Sequence, residues 1–171
     1  FIDDIKPYLS AAELENFVHA LSEEDQTCCI RQNRAKSDAR VGQPIGWNAA
    51  DGAYLDERPN FTLDPLMHAG CYYVQEASSQ FVTHVLRHTI DHPVTALDLC
   101  AAPGGKSTAM LSVLPEGSQL VSNEIDRRRA RILSENVTKW GLPNVSVTCN
   151  APKDYSKLRN LFDLILPDVP C

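Results

Sequence analysis

The second half of the chain contains four short apolar runs, which are separated by polar or amphipathic stretches. The runs are rich in Val, Leu and Ile and lie at residues 94–99, 119–123, 145–149 and 162–166. Runs of this length and composition are typical of strands that are buried on both faces. Because the first two are followed by stretches long enough for helices, the pattern predicts a parallel α/β sheet with right-handed crossovers.

Helical periodicity fills the segments around these runs. Residues 107–114 predict one helix, and residues 127–140 predict another that Gly141 and Pro143 stop. The apolar face of this second helix consists of Ala130, Leu133, Val137 and Trp140. Upstream, residues 76–87 predict a further helix. Its expected buried face consists of Ala77, Phe81, Val85 and Leu86.

The N-terminal part of the chain has a different pattern. Residues 10–22 predict a helix that begins with a capping box, in which Glu13 follows Ser10 by three positions. Short strands are predicted at residues 27–31 and 70–75. Residues 41–65 are rich in Gly, Pro, Asn and Asp, which favours loops and a domain boundary near residue 60. We therefore predict a small N-terminal α+β domain over residues 1–60 and a second domain over residues 61–171.

Composition narrows the class of protein without identifying it. Of 171 residues, 43% are hydrophobic and 22% charged, as in ordinary globular proteins, and no apolar run is long enough to span a membrane. We expect a cytoplasmic protein without membrane contact. The six cysteines lack the C-x-x-C spacing of zinc sites. The net charge of −6 argues against holding nucleic acid by bulk electrostatics, so such binding would need a local basic patch or a further basic domain.

Three histidines recur at a spacing that could bind a metal ion. His84, His88 and His92 lie every fourth residue along the chain. No carboxylate or cysteine lies at ligand spacing from them, and Pro93 makes His92 a poor helical position. We expect no metal site.

The first apolar run ends in a loop of small residues. Residues 98–108 have the sequence Asp-Leu-Cys-Ala-Ala-Pro-Gly-Gly-Lys-Ser-Thr, so a predicted strand gives way to a predicted helix through residues of little bulk. Backbone N–H groups at such a helix start are open to a small-molecule ligand. The dinucleotide fingerprint G-x-G-x-x-G is absent. The phosphate-binding pattern G-x-x-x-x-G-K-[ST] matches at Gly105, Lys106 and Ser107, but Cys100 replaces its first glycine, which argues against a tight wrap around a triphosphate.

Polar residues also follow the other apolar runs. Glu124 follows the second run, nineteen residues after Gly105, which suits a carboxylate that accepts hydrogen bonds from ribose hydroxyls. Asn150 and Asp168 follow the third and fourth runs. Because the carboxyl ends of parallel strands meet at one edge of a sheet, we expect these side chains to share a crevice with the loop.

The loop and its flanking segments resemble the Sun/nucleolar-protein family of RNA cytosine carbon-5 methyltransferases. The resemblance covers about residue 54 onward and rests on residues 98–106, on Asp168-Val169-Pro170-Cys171 and on Tyr73-x-Gln75-Glu76-Ala77-Ser78-Ser79. Residues 30–33 are similar to the small RNA-binding domain of bacterial members that act on 16S rRNA. The resemblance implies a Rossmann-like class I methyltransferase sheet, incomplete at its C-terminal side, beside a small N-terminal α+β appendage. It also implies S-adenosylmethionine as cofactor and RNA, most simply 16S ribosomal RNA, as substrate.

The family's site residues are carried over to matching positions. The residues implied to bind the methionine part of the cofactor are Cys100, Ala101, Ala102, Pro103, Gly104, Gly105 and Lys106. Glu124 would bind the ribose, and Asn150 the adenine edge, where many members have Asp. Asp168 would contact both the cofactor and the cytosine, and the implied catalytic residues are Lys106, Asp168 and Cys171.

The implied chemistry requires two cysteines. A thiolate adds to carbon 6 of cytosine, and carbon 5 can then attack the methyl group. The family takes this thiolate from a Thr-Cys element beyond the Pro-Cys element, whose cysteine, here Cys171, assists product release. Thr27-Cys28 and Thr148-Cys149 lie elsewhere, so we expect these residues to be a fragment that is inactive alone. A P-loop-like nucleoside triphosphatase and a non-catalytic, cofactor-binding, RNA-associated module remain as alternative functions.

Overall fold

The computed structural model describes residues 1–22 and 28–169, and its strands form two sheets. The elements of the N-terminal half are α1 Ile2–Ile5, α2 Ala11–Ser22, β1 Cys28–Gln32, β2 Gln43–Pro44, β3 Gly52–Leu55, α3 Pro65–His68 and β4 Tyr72–Val74. Those of the C-terminal half are α4 Phe81–Thr89, β5 Thr95–Asp98, α5 Gly105–Val113, β6 Gln119–Asn123, α6 Arg127–Trp140, β7 Val145–Thr148 and β8 Leu164–Leu166.

The predicted capping box at the start of α2 is confirmed. The Ser10 backbone N–H donates to Glu13 Oε2 at 2.8 Å, and the Glu13 N–H donates to Ser10 Oγ at 3.3 Å. These two bonds satisfy donors that a helix start otherwise leaves without partners. The predicted strand at residues 27–31 is observed as β1, although Thr27 lies outside the described residues.

The first sheet is antiparallel, with strand order β2-β3-β1-β4. All five residues of its central strand β1 are buried. Because β4 pairs with β1 through Ile30–Val74 and Arg31–Tyr73, residues after position 60 complete this sheet. The domain division at residue 60 stays a prediction.

Helix α4 differs from its prediction in where it begins and which face it buries. A 3₁₀ turn occupies Ser78–Gln80, and the α-helix starts only at Phe81. Leu86 is buried as expected, but Phe81 and Val85 are 48% and 43% exposed. The buried positions belong instead to Gln80 and Thr83, and the Thr83 hydroxyl donates to the Gln80 carbonyl at 2.7 Å. The prediction that Phe81 and Val85 are buried was wrong. Gln80 and Thr83 can be buried in their place because internal hydrogen bonds satisfy their polar groups, which a hydrophobic pattern does not reveal.

The second sheet confirms the predicted α/β architecture. Its strands are all parallel in the order β7-β6-β5-β8. Strand β6 and helix α6 have the predicted bounds, and the four predicted core residues of α6 are all buried. Asp126 caps α6 by accepting from the N–H groups of Arg128 and Arg129, and Gly141 ends the helix at φ 81°. These local signals explain why the prediction succeeded here.

Two apolar clusters hold the helices on this sheet. Helices α4 and α5 contribute Leu86 and Met110, which pack with Ala96 and Leu120 of the strands. Helix α6 contributes Leu133 and Val137, which pack against Ala101 and Ala102 of the loop after β5. The loop is therefore part of the packed core.

Side chains that follow β1 connect the first sheet to the C-terminal end of α6. Asn33 Nδ2 donates to the carbonyls of Gly70 and Trp140 at 3.0 and 2.8 Å. Lys36 Nζ likewise donates to the carbonyls of Ala69 and Lys139 at 2.8 and 2.7 Å. Among the described residues, no helix has the length and apolar character needed to cross a membrane.

Candidate functional site

The loop between β5 and α5 is fixed from several sides. Its Ala101 N–H donates to the carbonyl of Asn123, the last residue of β6, at 2.7 Å. The Pro103 carbonyl accepts from Asn136 Nδ2 at 2.8 Å and from the Tyr73 hydroxyl at 3.4 Å. Gly104 adopts φ 107°, a left-handed conformation that lets the chain enter α5. The loop therefore has a defined shape at the carboxyl end of the sheet.

A hollow of about 240 Å³ lies against this loop. Six of the seven loop residues predicted to bind cofactor line it; Gly104 does not, and faces Leu133 instead. Asp168 also lines it, so the loop and the segment after β8 meet at one cavity. The opposite wall comes from the first sheet and the turn that follows it, and consists of Tyr73, Val74, Gln75, Glu76 and Ser79.

Lys106 and Asp168 form an ion pair at the mouth of the hollow. Their side chains are 30% and 53% exposed, so water reaches both. A pair this exposed adds little stability, which leaves both groups free to rearrange around a ligand.

Asp98, at the end of β5, is a buried carboxylate with one unsatisfied oxygen. It is 1% exposed, and its Oδ2 accepts from the Ser107 hydroxyl at 2.6 Å. Its Oδ1 has no hydrogen-bond partner within the described part of the chain. Burial, with a smaller contribution from the charge of Asp168, raises the pKa of Asp98 to about 6.

Glu124 has a similar character at the end of β6. It is 2% exposed, and Oε1 accepts from the Asp126 N–H at 3.1 Å. Oε2 lies 3.4 Å from Arg129 Nη1 but receives no hydrogen bond from any described residue. Glu124 does not line the hollow; it lies at the neighbouring strand end.

Asn150 lies one strand further along the same edge. Its side chain is exposed, while its backbone N–H and carbonyl bond to the Asn123 side chain, each at 3.0 Å. Asn123 is buried and also accepts from Thr148 and Tyr155. The sequence interpretation missed this organising role, because an Asn at the end of an apolar run carries no distinctive signal.

Cys100 is held as a thiol. Burial raises its pKa, and the nearby carboxylates of Glu124 and Asp98 act in the same direction. A thiol with a raised pKa is a poor nucleophile at neutral pH. The Cys100 position therefore suits contact with a ligand and not attack on one. Cys171, the predicted catalytic cysteine, lies outside the described residues.

Ser107 does not have the placement that a phosphate-binding loop requires. In such loops the hydroxyl that follows the lysine binds the magnesium ion of the nucleotide. Here Ser107 is fully buried, donates to Asp98 and accepts from the Ser122 hydroxyl at 3.0 Å. This geometry does not favour the nucleoside triphosphatase alternative.

Metal-binding clusters are not found in residues 1–22 and 28–169. No three His, Cys, Asp or Glu side chains there come together as metal ligands. The rings of His84 and His88 lie 4.3 Å apart, and His88 Nδ1 is bonded to the His84 carbonyl.

The wall formed by Tyr73 and Gln75 was not among the predicted site residues. Its sequence signal was available, since Tyr73, Gln75 and Glu76 belong to a segment that supported the family resemblance. Periodicity could not place this segment at the hollow because β4 belongs to the other sheet.

Comparisons with known proteins point to one family. Residues 83–171 match the family model described as 16S rRNA methyltransferase RsmB/F, and residues 1–77 match the N-terminal domain of 16S rRNA methyltransferase RsmF. Ribosomal RNA small subunit methyltransferase F of Pectobacterium atrosepticum is 31% identical over 189 residues, covering 100% of this chain and 38% of that protein. The protein of the same description from Aliivibrio salmonicida is 38% identical over 104 residues, covering 60% of this chain and 22% of the relative. The chain thus matches 38% or less of the length of these two curated relatives.

Solved structures agree on the fold. A methyltransferase homolog protein from Pyrococcus horikoshii has a TM-score of 0.74 at 23% identity, covering 92% of this chain and 54% of that one. NSun6 from the same organism, solved with SFG, has a TM-score of 0.59 at 24% identity, covering 72% of this chain and 30% of that one. The predicted Rossmann-like class I methyltransferase fold is confirmed.

Proposed function

Because the chain belongs to the 16S rRNA methyltransferase RsmB/F family, we propose that the protein methylates carbon 5 of a cytosine in small-subunit ribosomal RNA. S-adenosylmethionine would supply the methyl group. The observation that supports this most strongly is the single hollow where the loop after β5, Lys106 and Asp168 meet. In an open parallel sheet, this edge is where ligands bind.

The residues present fit S-adenosylmethionine. Two buried carboxylate oxygens, Asp98 Oδ1 and Glu124 Oε2, lack hydrogen-bond donors within the described residues. Leaving buried acceptors without donors costs stability, and a ligand that carries hydroxyl groups and positive charge removes that cost. Glu124 would accept from the ribose hydroxyls, and residues 100–106 would hold the methionine part. The exposed Asn150 side chain would contact the adenine edge and, as an amide, can donate as well as accept.

At the reacting base, we assign two roles from the family pattern. Asp168 would hydrogen-bond the cytosine edge, and its ion pair with Lys106 would hold its carboxylate beside the hollow. Cys171 would assist release of the product after methyl transfer, while the attacking thiolate would come from a Thr-Cys element elsewhere in the full-length protein. Ribosomal RNA lies in the bacterial cytoplasm, so we propose that location for the enzyme. We also propose that residues 1–60 contribute to RNA binding.

Methyl transfer to RNA tests the proposal. Full-length protein is incubated with tritiated S-adenosylmethionine and hypomethylated small-subunit ribosomal RNA, and the labelled nucleoside is identified after digestion. We expect 5-methylcytosine; label on adenine or guanine, or no label, would refute the assignment.

The Cys171→Ala variant tests the release role. Since release loses its helper, we expect a covalent protein–RNA adduct that survives denaturing electrophoresis. Normal turnover by this variant would show that Cys171 has no such role.

A further inference from the structure

Arg31 is a fully buried cation whose hydrogen-bond acceptors, among the described residues, are all uncharged. It lies on β1, has no exposed surface, and its guanidinium stacks 4.4 Å from the Trp140 ring centre. Each of its five N–H groups donates. The acceptors are Gln75 Oε1 at 2.8 Å, the Gly105 carbonyl at 3.1 Å, the Thr108 carbonyl and hydroxyl at 3.2 and 2.6 Å, and the Ser112 hydroxyl at 3.2 Å.

This arrangement ties the first sheet to the start of α5, next to the hollow. Gly105 and Thr108 belong to the first turns of α5, and Gln75 lines the hollow. Burial lowers the pKa of Arg31 to about 9, so the guanidinium remains charged at neutral pH. A buried charge without a carboxylate partner lowers the stability of the fold. The guanidinium of Arg31 nevertheless lies where all its N–H groups find acceptors, close to the start of α5.

Arg31 also fixes the orientation of the Gln75 amide. A guanidinium can only donate, so the amide oxygen of Gln75 must face it and the amide NH₂ must face away. Gln75 is 8% exposed, and within the described residues its Nε2 donates to no acceptor. A Cβ placed on Gly105 would lie 3.3 Å from Nε2, so the NH₂ group rests against the first residue of α5. A side-chain donor with no acceptor among the described residues therefore lines the hollow.

The position of Gln75 indicates which part of the cofactor it would meet. Glu124, the proposed ribose ligand, lies outside the hollow at the end of β6, on the side of the sheet edge that leads to β7. Gln75 lines the hollow beside Gly105, at the start of α5, so a ligand that extends from Glu124 into the hollow brings its amino-acid end towards it.

Building on the proposed function, we propose that Gln75 Nε2 donates to the carboxylate of the amino-acid part of S-adenosylmethionine, and that Arg31 is the positioning residue that aims this donor. Arg31 donates into the amide oxygen while the amide NH₂ donates to the ligand, so the two bonds polarise each other. A bond from this amide to a carboxylate is charge-assisted and stronger than one between neutral groups.

The Gln75→Glu variant in the full-length protein provides the test. Glu still accepts from Arg31, now as an ion pair, so the fold is kept, while the donor becomes a negative charge. The affinities for S-adenosylhomocysteine and for 5′-methylthioadenosine, which lacks the amino-acid carboxylate, are measured by calorimetry. We expect S-adenosylhomocysteine to bind at least about tenfold more weakly, ~1.4 kcal/mol, and 5′-methylthioadenosine to bind as before. Gln43→Glu, an exposed position on β2, is the matched control for the added charge and should change neither affinity.

The Arg31→Lys variant separates positioning from direct binding. Lys lacks the fork that holds the amide, so S-adenosylhomocysteine should bind several-fold more weakly while 5′-methylthioadenosine is unaffected. If Arg31 acts through Gln75, adding Arg31→Lys to Gln75→Glu should cost little further affinity. Full additivity of the two losses would refute the positioning role.

Three outcomes of the Gln75→Glu experiment would overturn the proposal. Unchanged S-adenosylhomocysteine affinity would show that the donor does not meet the ligand. Equal weakening of both ligands would indicate a structural effect on the loop, and a raised KM for RNA at unchanged cofactor affinity would assign the donor to RNA. If the wild-type protein bound neither ligand, the proposed function itself would fail.

Discussion

The buried carboxylate of Asp98 should make the stability of the protein depend on pH in a defined direction. Asp98 is 1% exposed, and burial raises its pKa from 3.8 to about 6. Between these values the folded state holds a proton that the unfolded state has released, so stability falls as pH rises through this window. Above it, the ionised carboxylate costs the folded state about 3 kcal/mol relative to acid conditions, since each pKa unit corresponds to about 1.4 kcal/mol.

The Asp98→Asn substitution removes this titration and keeps the contact. The amide oxygen can still accept from Ser107, which now donates to Asp98 Oδ2 at 2.6 Å. Any fixed cost of placing an NH₂ group at the position of Oδ1 is the same at every pH and cancels when two pH values are compared. Integrating the proton linkage from pH 4.5 to 7.5 with these pKa values, we expect the variant to gain about 2 kcal/mol relative to wild type.

Urea unfolding at pH 4.5 and pH 7.5 measures this difference. Glu116→Gln, which removes an exposed carboxylate between α5 and β6, is the matched control. If the free-energy difference between wild type and Asp98→Asn is the same at both pH values, Asp98 is not perturbed by burial and the reasoning is wrong. A difference of opposite sign would mean that Asp98 is stabilised as an anion by donors other than Ser107.

Two further substitutions test the loop itself. Lys106→Met removes a half-exposed ion pair, so the free energy of unfolding in urea should change by no more than about 1 kcal/mol. Single-turnover methyl transfer should fall at least about tenfold. A large loss of stability with normal methyl transfer would contradict the site assignment. Gly104→Ala places a side chain at φ 107°, with its Cβ 3.2 Å from Leu133 Cδ1. The free energy of unfolding should therefore fall by about 1 to 3 kcal/mol. An unchanged urea midpoint would show that the loop relaxes without strain.

Local signals explain where sequence interpretation succeeded. Helix α6 has a capping Asp126, a clean apolar face and a terminal Gly141, and it was predicted to the residue. Strand β6, a short apolar run, was predicted equally well, and the parallel sheet followed from the alternation of strands and helices. Each of these features depends on residues that are near one another in the chain.

Long-range polar contacts explain where it did not. Arg31 and Thr108 are 77 positions apart, and nothing in the spacing of either residue indicates that one donates to the other. The buried face of α4 was misassigned for the same reason. The Gln80 side chain can be buried because it is hydrogen-bonded to the Asn48 side chain and to the carbonyls of Ile30 and Gln75. The family resemblance drew attention to the segment from Tyr73 to Ser79, but only the pairing of β4 with β1 brings that segment to the hollow.

The buried charged residues that hydrophobic periodicity could not predict are also the ones that lower the stability of the protein at the candidate site. Arg31, Asp98 and Glu124 are each at least 98% buried, and Asp98 and Glu124 each keep an oxygen without a donor among the described residues. A sequence selected for stability alone would replace such groups with apolar ones of similar size. Their presence around one loop is therefore better explained by a ligand whose binding compensates for the lost stability. Such a ligand has donors for the two carboxylates and an acceptor for Gln75. S-adenosylmethionine offers hydroxyl and ammonium donors together with a carboxylate acceptor, which is why the electrostatics of the site and the family resemblance support the same proposal.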